Sequence, residues 1–215
     1  MNIQDEFLSM QQSKNLTRTD IKNFVNKIYT EQNLYKAIDI REFISKKFPV
    51  TVYEFNNELN PIKCYFSVND KQTYERFGVS NVIGLNRAQL KNFSENDIRF
   101  IIAKQLGVYV TNKKCEYISP NSLTDSDAIF KKLNPTLDID YYSTAGFFTF
   151  ELLLPTNQFI KDLKMLSCYH YPEEKMVHLL SIIYAVPEYL CQIKLEEIKE
   201  QEKANWRKNN QQNEM

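Results

Sequence analysis

The chain contains little glycine and proline: 4 Gly and 7 Pro in 215 residues. Architectures built from tight β-turns use more of both residues, and a phosphate-binding loop needs clustered glycines, so the sequence disfavours both. The chain also lacks an excess of charge of either sign, because 27 Lys and Arg residues balance 27 Asp and Glu residues. Nucleic acid is therefore not indicated as a partner, as it would be by a basic excess.

Cysteine and histidine are scarce as well. The 4 Cys lie at positions 64, 115, 168 and 191 without C-x-x-C spacing, so neither a zinc knuckle nor a redox pair is indicated. The N-terminus is polar, and no apolar run approaches the ~18 residues of a membrane span. We therefore expect a cytoplasmic protein with reduced thiols and no membrane partner.

Aromatic residues, in contrast, are abundant. The 14 Phe and 13 Tyr, in a chain that is 43% hydrophobic, predict a folded core. We expect one domain at residues 17–203, with an N-terminal arm at 1–16 and a polar tail at 204–215. Within the domain, the segment 172–203 is expected to form a closing pair of helices.

Hydrophobic periodicity predicts the elements of the domain. Apolar residues at helical spacing indicate two N-terminal helices that end before Pro49, and β-branched and aromatic runs indicate strands at 50–55, 64–68 and 81–86. We expect these strands to form a small antiparallel sheet, followed by a helical C-terminal half, in an α+β fold. The later helices are expected at 94–110, 138–154, 173–184 and 188–203.

The strongest local pattern lies between Ser94 and Val110. Ser94 and Asp97 form a capping box at the start of a predicted helix, as Thr17 and Asp20 do before the first N-terminal helix. One apolar face of the helix after Ser94 is predicted by residues at helical spacing, which are Ile98, Ile101, Ile102, Leu106 and Tyr109.

The centre of this helix, IIAKQLGVYV, has the outline of a metallopeptidase helix, in which two His at i and i+4 bind a metal and the Glu between them is the general base. Here the three chemical positions are Lys104, Gln105 and Val108.

This stretch and a second block resemble the ImmA/IrrE family of cytosolic metallopeptidases over roughly residues 20–200. The family's first block is close to F-x-I-A-H-E-L-G-H-Y, and its second runs E-x-x-A-N-x-F-A-x-E-L-L-x-P. The residues in register are Phe100, Ile102, Ala103, Leu106, Gly107, Tyr109, Ala145, Phe148, Glu151, Leu152, Leu153 and Pro155. The resemblance implies zincin-like helices packed on the sheet, with Tyr142 at the position of the third zinc ligand and Gly146 at that of the family's Asn.

The residues at the chemical positions argue against hydrolysis. Protonated Lys104 has no lone pair to give, Gln105 cannot accept a proton at neutral pH, and Val108 has no donor atom. Tyr142 would be a rare and weak zinc ligand. We therefore predict that the chain is not an enzyme and that it has no metal and no cofactor.

Another metal site would have to use Cys168, His170 and His178, with nearby glutamates. Their spacing fits no familiar zinc signature. We interpret Cys168 and His170 as loop or packing residues and His178 as part of a helix face.

The resemblance implies that the function uses the surfaces of the scaffold and does not involve catalysis. We expect a pseudopeptidase, encoded by a phage or another mobile genetic element, that binds another protein. That partner would be a repressor, or a host defence component that the chain inhibits. The former substrate cleft, with Lys104, Tyr142, Tyr65 and Phe66, would serve as the binding cleft.

Two alternatives remain open. The first is a residual metallopeptidase with rearranged ligands. The second is a DNA-binding regulator that uses the helical pair at 172–203, whose sequence pattern is similar to that of a helix-turn-helix. The segment 188–203 carries five Glu and three Lys, a balance that would repel phosphates.

Overall fold

A computed structural model of the chain describes residues 16–31, 37–48, 50–67, 75, 78, 81–111 and 143–212. Within these ranges the helices are α1 (Arg18–Glu31), α2 (Ile40–Lys47), α3 (Arg87–Leu90), α4 (Glu95–Thr111), α5 (Thr144–Leu153), α6 (Thr156–Ser167), α7 (Glu173–Tyr184) and α8 (Glu188–Gln212). The strands are β1 (Val50–Phe55), β2 (Cys64–Ser67) and β3 (Asn81–Asn86). The predicted α+β class, with a helical C-terminal half, is confirmed.

Several sequence predictions fall outside this description. They are the N-terminal arm apart from Leu16, the first residues of the helix expected at 138–154, and Tyr142.

Capping boxes start two of the helices, as the sequence predicted. At α1, Thr17 Oγ donates to Asp20 Oδ2 at 2.6 Å, and the Asp20 amide donates back to Thr17 Oγ at 3.2 Å. At α4, Ser94 Oγ and Asp97 make the same two contacts at 2.6 and 3.2 Å. In each pair, the bond from the aspartate amide to the hydroxyl satisfies a backbone donor that the first turn of a helix leaves without a partner.

The sheet is mixed, so the prediction of an antiparallel sheet is wrong. Its strand order is β1-β3-β2, with β1 parallel to β3 and β2 antiparallel to β3. All six residues of β3 are buried, and this apolar strand takes the centre, between the two strands that precede it in the chain. Parallel pairs occur where both faces of a sheet are covered, which fits the continuous burial of β3.

One side chain accounts for the path between β1 and β2. Asn86, at the end of β3, donates through Nδ2 to the carbonyls of Asn57 and Asn60 at 2.8 and 3.0 Å. Its Oδ1 accepts from the Asn57 amide at 3.0 Å. The segment between β1 and β2 is therefore hydrogen-bonded to the end of β3. Strand β2 pairs with the edge of β3 opposite β1 instead of forming a hairpin with β1.

Helix α4 lies at the centre of the core. Its predicted apolar face is confirmed, because Ile98, Ile101, Ile102, Leu106 and Tyr109 are all at most 7% exposed. The helix packs against α5 on one side and reaches the sheet on the other. At the sheet, the Tyr109 ring lies 5.3 Å from the ring of Phe66.

The C-terminal half contains the predicted closing pair of helices, α7 and α8. Ala185 joins them in a left-handed conformation (φ 48°, ψ 54°), which ends α7, and the chain bends by 114° between the two helices. Helix α8 continues to Gln212, so the tail expected from residue 204 is largely helical. A local ion pair, Lys203 with Glu200 at 2.9 Å, lies directly before this extension.

No single helix among the described residues is long and apolar enough to cross a bilayer, although α7 and α8 taken together pass such a test as a bent pair.

Gly84 lies at the middle of the sheet, where its lack of a side chain is required. Tyr53, Gly84 and Tyr65 occupy one row across the three strands. A Cβ at position 84 would lie 2.1 Å from Cε1 of Tyr65, so the tyrosine ring lies directly on the backbone of β3. The ring also approaches Phe55, at 5.7 Å between centroids.

We expect Gly84→Ala to destabilise the fold by about 1–3 kcal/mol, because the new methyl group forces the Tyr65 ring to move. The penalty should shrink to less than about 1 kcal/mol in a Tyr65→Ala background, where no ring covers position 84. Urea denaturation of the two single variants and the double variant measures this coupling. Equal penalties in both backgrounds would show that Tyr65 does not restrict this position.

Candidate functional site

The three described residues of the metallopeptidase-like motif lie on α4, at the positions expected from the helix period. Lys104 and Val108 are one turn apart and half-buried, whereas Gln105 is only 1% exposed. None of the three supplies an imidazole, a carboxylate or a thiolate, the groups that bind zinc in proteins. The helix thus offers an ammonium, an amide and an isopropyl group where the resembled family places two ligands and a base.

The contact between α4 and α5 is unusually close at Gly107. A Cβ at this position would lie 2.6 Å from Thr149 Oγ1 and 2.7 Å from the carbonyl oxygen of Ala145. Thr149 Oγ1 donates to the Ala145 carbonyl at 2.8 Å, one turn back on its own helix, and is 3.4 Å from the Ala103 carbonyl. The small residues and the buried hydroxyl let the two helices touch along their backbones.

The residues predicted to line a binding cleft do not all share a surface. Phe66 is 7% exposed and faces α4 through Tyr109. Tyr65, its neighbour in β2, points to the opposite face of the sheet, where it covers Gly84. Lys104 is half-buried on α4, and Tyr142 lies outside the described residues. The described part of the predicted cleft is therefore divided between the two faces of the sheet.

The residues considered for another metal site are not brought together. His178 Nδ1 lies 2.6 Å from Glu188 Oε1, an exposed contact between α7 and α8. Cys168 and His170 lie in the turn after α6, where Cys168 Sγ donates to the Lys164 carbonyl at 3.3 Å. Within the described ranges, no group of three or more His, Cys, Asp or Glu side chains is placed to hold a metal ion.

A buried ion pair joins α5 to α8, and the sequence reasoning missed it. Lys194 Nζ donates to Glu151 Oε1 at 2.6 Å, and the side chains of these two residues are 0% and 3% exposed. Thr156 donates its hydroxyl to the same Glu151 oxygen and its amide to Oε2 at 3.2 Å. Lys194 also contacts Glu197 Oε2 at 3.0 Å. A usable signal existed, since Lys194 lies on the apolar face formed by Leu190, Cys191, Leu195 and Ile198.

A second polar contact fastens the turn between α7 and α8 to α4. The Arg99 guanidinium donates to the carbonyls of Tyr184 and Ala185 at 2.6 and 2.9 Å, and to that of Ile38 at 3.0 and 2.9 Å. Desolvation by burial lowers the pKa of Arg99 below its ordinary value. A cation at the end of α7 is favourable, because the last carbonyls of a helix have no partners of their own.

An open depression of about 390 Å³ surrounds Arg99, but its charged side chains are already engaged. Arg41 pairs with Glu54 at 2.6 Å, and Glu95 pairs with Arg87 at 3.1 Å. The hydrogen bonds from two arginines hold the pKa of Glu54 below its usual range. We assign these charges to the packing of α2, α3 and α4 rather than to a ligand.

Comparison with known proteins identifies no relative. No protein-family model, no curated protein and no solved structure matches the chain. The structure defines the class as an α+β protein with a small mixed sheet and a helical C-terminal half.

We expect Lys194→Met to destabilise the protein by about 3–5 kcal/mol, because it leaves Glu151 buried without its cation. The double variant Glu151→Leu/Lys194→Met should be less destabilised than Lys194→Met alone, since it removes both charges. Lys199→Met, on the same helix but in an exposed pair with Glu173, is the control and should cost about 1 kcal/mol or less. Urea denaturation compares the three variants, and a double variant at least as unstable as Lys194→Met alone would contradict the assignment.

Proposed function

We propose that the chain is a non-catalytic, cytoplasmic protein that binds another protein, and that it is built on a scaffold like that of the ImmA/IrrE metallopeptidases. We further propose that a phage or another mobile element encodes it. Its partner in this proposal is a repressor, or a host defence component that the chain inhibits. The proposal rests on family analogy for the kind of partner and on side-chain chemistry for the loss of catalysis.

The observation that carries the proposal is the identity of the side chains at three positions of α4. Lys104, Gln105 and Val108 stand where the resembled helix needs two ligands and a base. A metallopeptidase needs three protein ligands and an open position for water, and the base must accept a proton. An ammonium, an amide and an alkyl group meet none of these requirements.

The packing of the same helix supports retention of the scaffold. Gly107 matches the glycine of the family's first block and allows the close contact with Ala145 and Thr149 on α5. Glu151 matches the glutamate of the E-L-L-x-P block and holds Lys194 of α8. The matched positions therefore have structural roles in this chain that do not depend on a metal.

The metallopeptidase alternative has no support among the described residues. His178 is bonded to Glu188 on the next helix, and Cys168 and His170 lie in the turn that precedes α7. A rearranged zinc site would need three such side chains within about 2.0–2.3 Å of one point, which this arrangement does not provide.

The DNA-binding alternative is disfavoured by the ion pairs of α8. Each of the three lysines at 188–203 is held by a carboxylate of the protein itself. The pairs are Lys194 with Glu151, Lys199 with Glu173, and Lys203 with Glu200. The first turn of α8, which would enter a groove in a helix-turn-helix protein, carries Glu188. These lysines would have to leave their partners before they could bind phosphates.

The variant Lys104→His/Gln105→Glu/Val108→His tests the catalytic assignment. We expect it to show no peptidase activity, because the resemblance places Tyr142, a weak ligand, at the third zinc position. Peptide hydrolysis and zinc content are measured on the variant and on the native chain. Hydrolysis by the variant would mean that Tyr142 does not occupy the third position. Stoichiometric zinc in the native protein would overturn the non-catalytic proposal itself.

Affinity capture tests the proposed binding function. The tagged full chain, produced in cells that naturally encode it, should retain one protein in stoichiometric amount, and the two purified proteins should co-elute in gel filtration. Salt-dependent retention on duplex DNA, without such a protein, would favour the regulator instead. A captured protein that fails to co-elute when purified would remove the support for binding.

A further inference from the structure

The last turns of α8 project beyond the packed part of the protein. Among the described side chains, Ile198 is the last one of this helix to be buried, and every side chain at 200–207 is exposed. Helices in proteins gain most of their stability from packing one face against other elements. A helix that is polar all round instead depends on pairs between its own side chains or on a partner.

The charges on this part of α8 are separated by sign. Four exposed charged side chains follow one another at spacings of four, three and four residues, so they lie in one stripe along the helix. From the N-terminal to the C-terminal end, the stripe carries two carboxylates and then two cations. We call these residues the α8 charge stripe: Glu196, Glu200, Lys203 and Arg207.

The α8 charge stripe is poorly arranged to stabilise a single helix. Glu196 and Glu200 stand at i and i+4, as do Lys203 and Arg207, and like charges at this spacing destabilise an isolated helix. At the centre of the stripe, Lys203 pairs with Glu200 at 2.9 Å, but the two side chains remain 62% and 73% exposed. Glu196 accepts a hydrogen bond from the neutral amide of Gln192 at 3.2 Å and so keeps its charge. These groups therefore remain accessible to charges of a second molecule.

The order of the charges is complementary to itself when a second copy of α8 runs antiparallel. The stripe is symmetric about the point between residues 201 and 202. A two-fold axis at this point places Glu196 opposite Arg207 and Glu200 opposite Lys203, and the symmetry makes each of these pairs occur twice. A parallel copy in register would place like charges opposite each other. The stripe thus specifies both the partner and its orientation, as charged pairs do in coiled coils.

We infer that the chain forms a homodimer in which the α8 charge stripes of two copies pair in antiparallel orientation. The inference goes beyond the proposed function and does not depend on it. A partner of one charge sign, such as a nucleic acid, fits less well, because half of the stripe would repel it. Exposed ion pairs are individually weak and are screened by salt, so we expect a dimer whose affinity depends on ionic strength.

The position of Trp206 supplies a probe for this dimer. It is the only tryptophan of the chain, and it is 67% exposed at the projecting end of α8. In the antiparallel register it lies at the level of residue 197 of the second copy, where that helix leaves its own domain. Formation of the dimer should therefore remove part of the indole from water and shift its fluorescence emission to shorter wavelength.

Sedimentation equilibrium and Trp206 fluorescence of the purified full chain test the inference. We expect a concentration-dependent dimer at about 50 mM salt, and a dissociation constant at least about tenfold higher at about 500 mM salt. The emission shift should follow the dimer fraction in both conditions. A chain that stays monomeric at about 50 mM salt up to about 100 μM protein would overturn the inference and leave the proposed function standing.

Charge-reversal variants test the antiparallel pairing. Lys203→Glu/Arg207→Glu makes the stripe wholly acidic, and Glu196→Lys/Glu200→Lys makes it wholly basic, so each variant alone should dimerise about a hundredfold more weakly. An equal mixture of the two should form a heterodimer. The variant that carries all four changes should dimerise like the native chain, because two cations followed by two carboxylates are again complementary to themselves.

The control is Lys161→Glu/Lys164→Glu, which reverses two exposed lysines on α6 and should leave the dimer unchanged. Circular dichroism compares the helix content of all variants. A dimer that neither double reversal weakens would place the interface elsewhere and overturn the inference. Loss of the dimer in both reversals, without recovery in the mixture or in the variant with four changes, would overturn the antiparallel pairing.

Discussion

The close contact of α4 with α5 at Gly107 is the constraint on which the rest of the structure depends. Because Gly107 has no side chain, the backbone of α5 approaches α4 at Ala145, and the Thr149 hydroxyl is enclosed between the helices. This contact places one side of α4 against α5 and leaves Tyr109 to meet Phe66 of the sheet. The positions of Lys104, Gln105 and Val108 follow from it, since all three are fixed on the same helix.

Two buried polar contacts then attach the C-terminal helices to this centre. Lys194 of α8 reaches Glu151 of α5, and Arg99 of α4 binds the carbonyls at the end of α7. A buried ion pair often adds little net stability compared with well-packed apolar groups, but it is costly to break. The pair therefore acts mainly on the position of α8, since a slip by one helical turn would leave Glu151 without a cation. The α6–α7 turn is held in place by the same packed helices.

Much of the fold could be predicted from local sequence, and the error in the sheet topology arose from contacts between distant residues. The capping boxes at Thr17 and Ser94 were predicted because their bonds lie within four residues of chain. The sheet topology was predicted wrongly, because strand order depends on which strand is most buried and on Asn86, whose partners lie 26 and 29 residues away. The polar extension of α8 was interpreted as a tail, although the helix continues through it to Gln212.

For the candidate site, the sequence by itself determined which chemical groups stand at positions 104, 105 and 108. The side chains at 104, 105 and 108 supply neither a zinc ligand nor a general base at these three positions whatever their surroundings, because donor atoms belong to side chains and not to folds. Only the tertiary structure decided which surfaces these and other residues share. It put Tyr65 and Phe66 on opposite faces, paired Lys194 with Glu151, and left Tyr169 exposed beside Tyr171. Contacts between residues distant in sequence depend on how whole elements pack, and periodicity within one element carries no information about its neighbours.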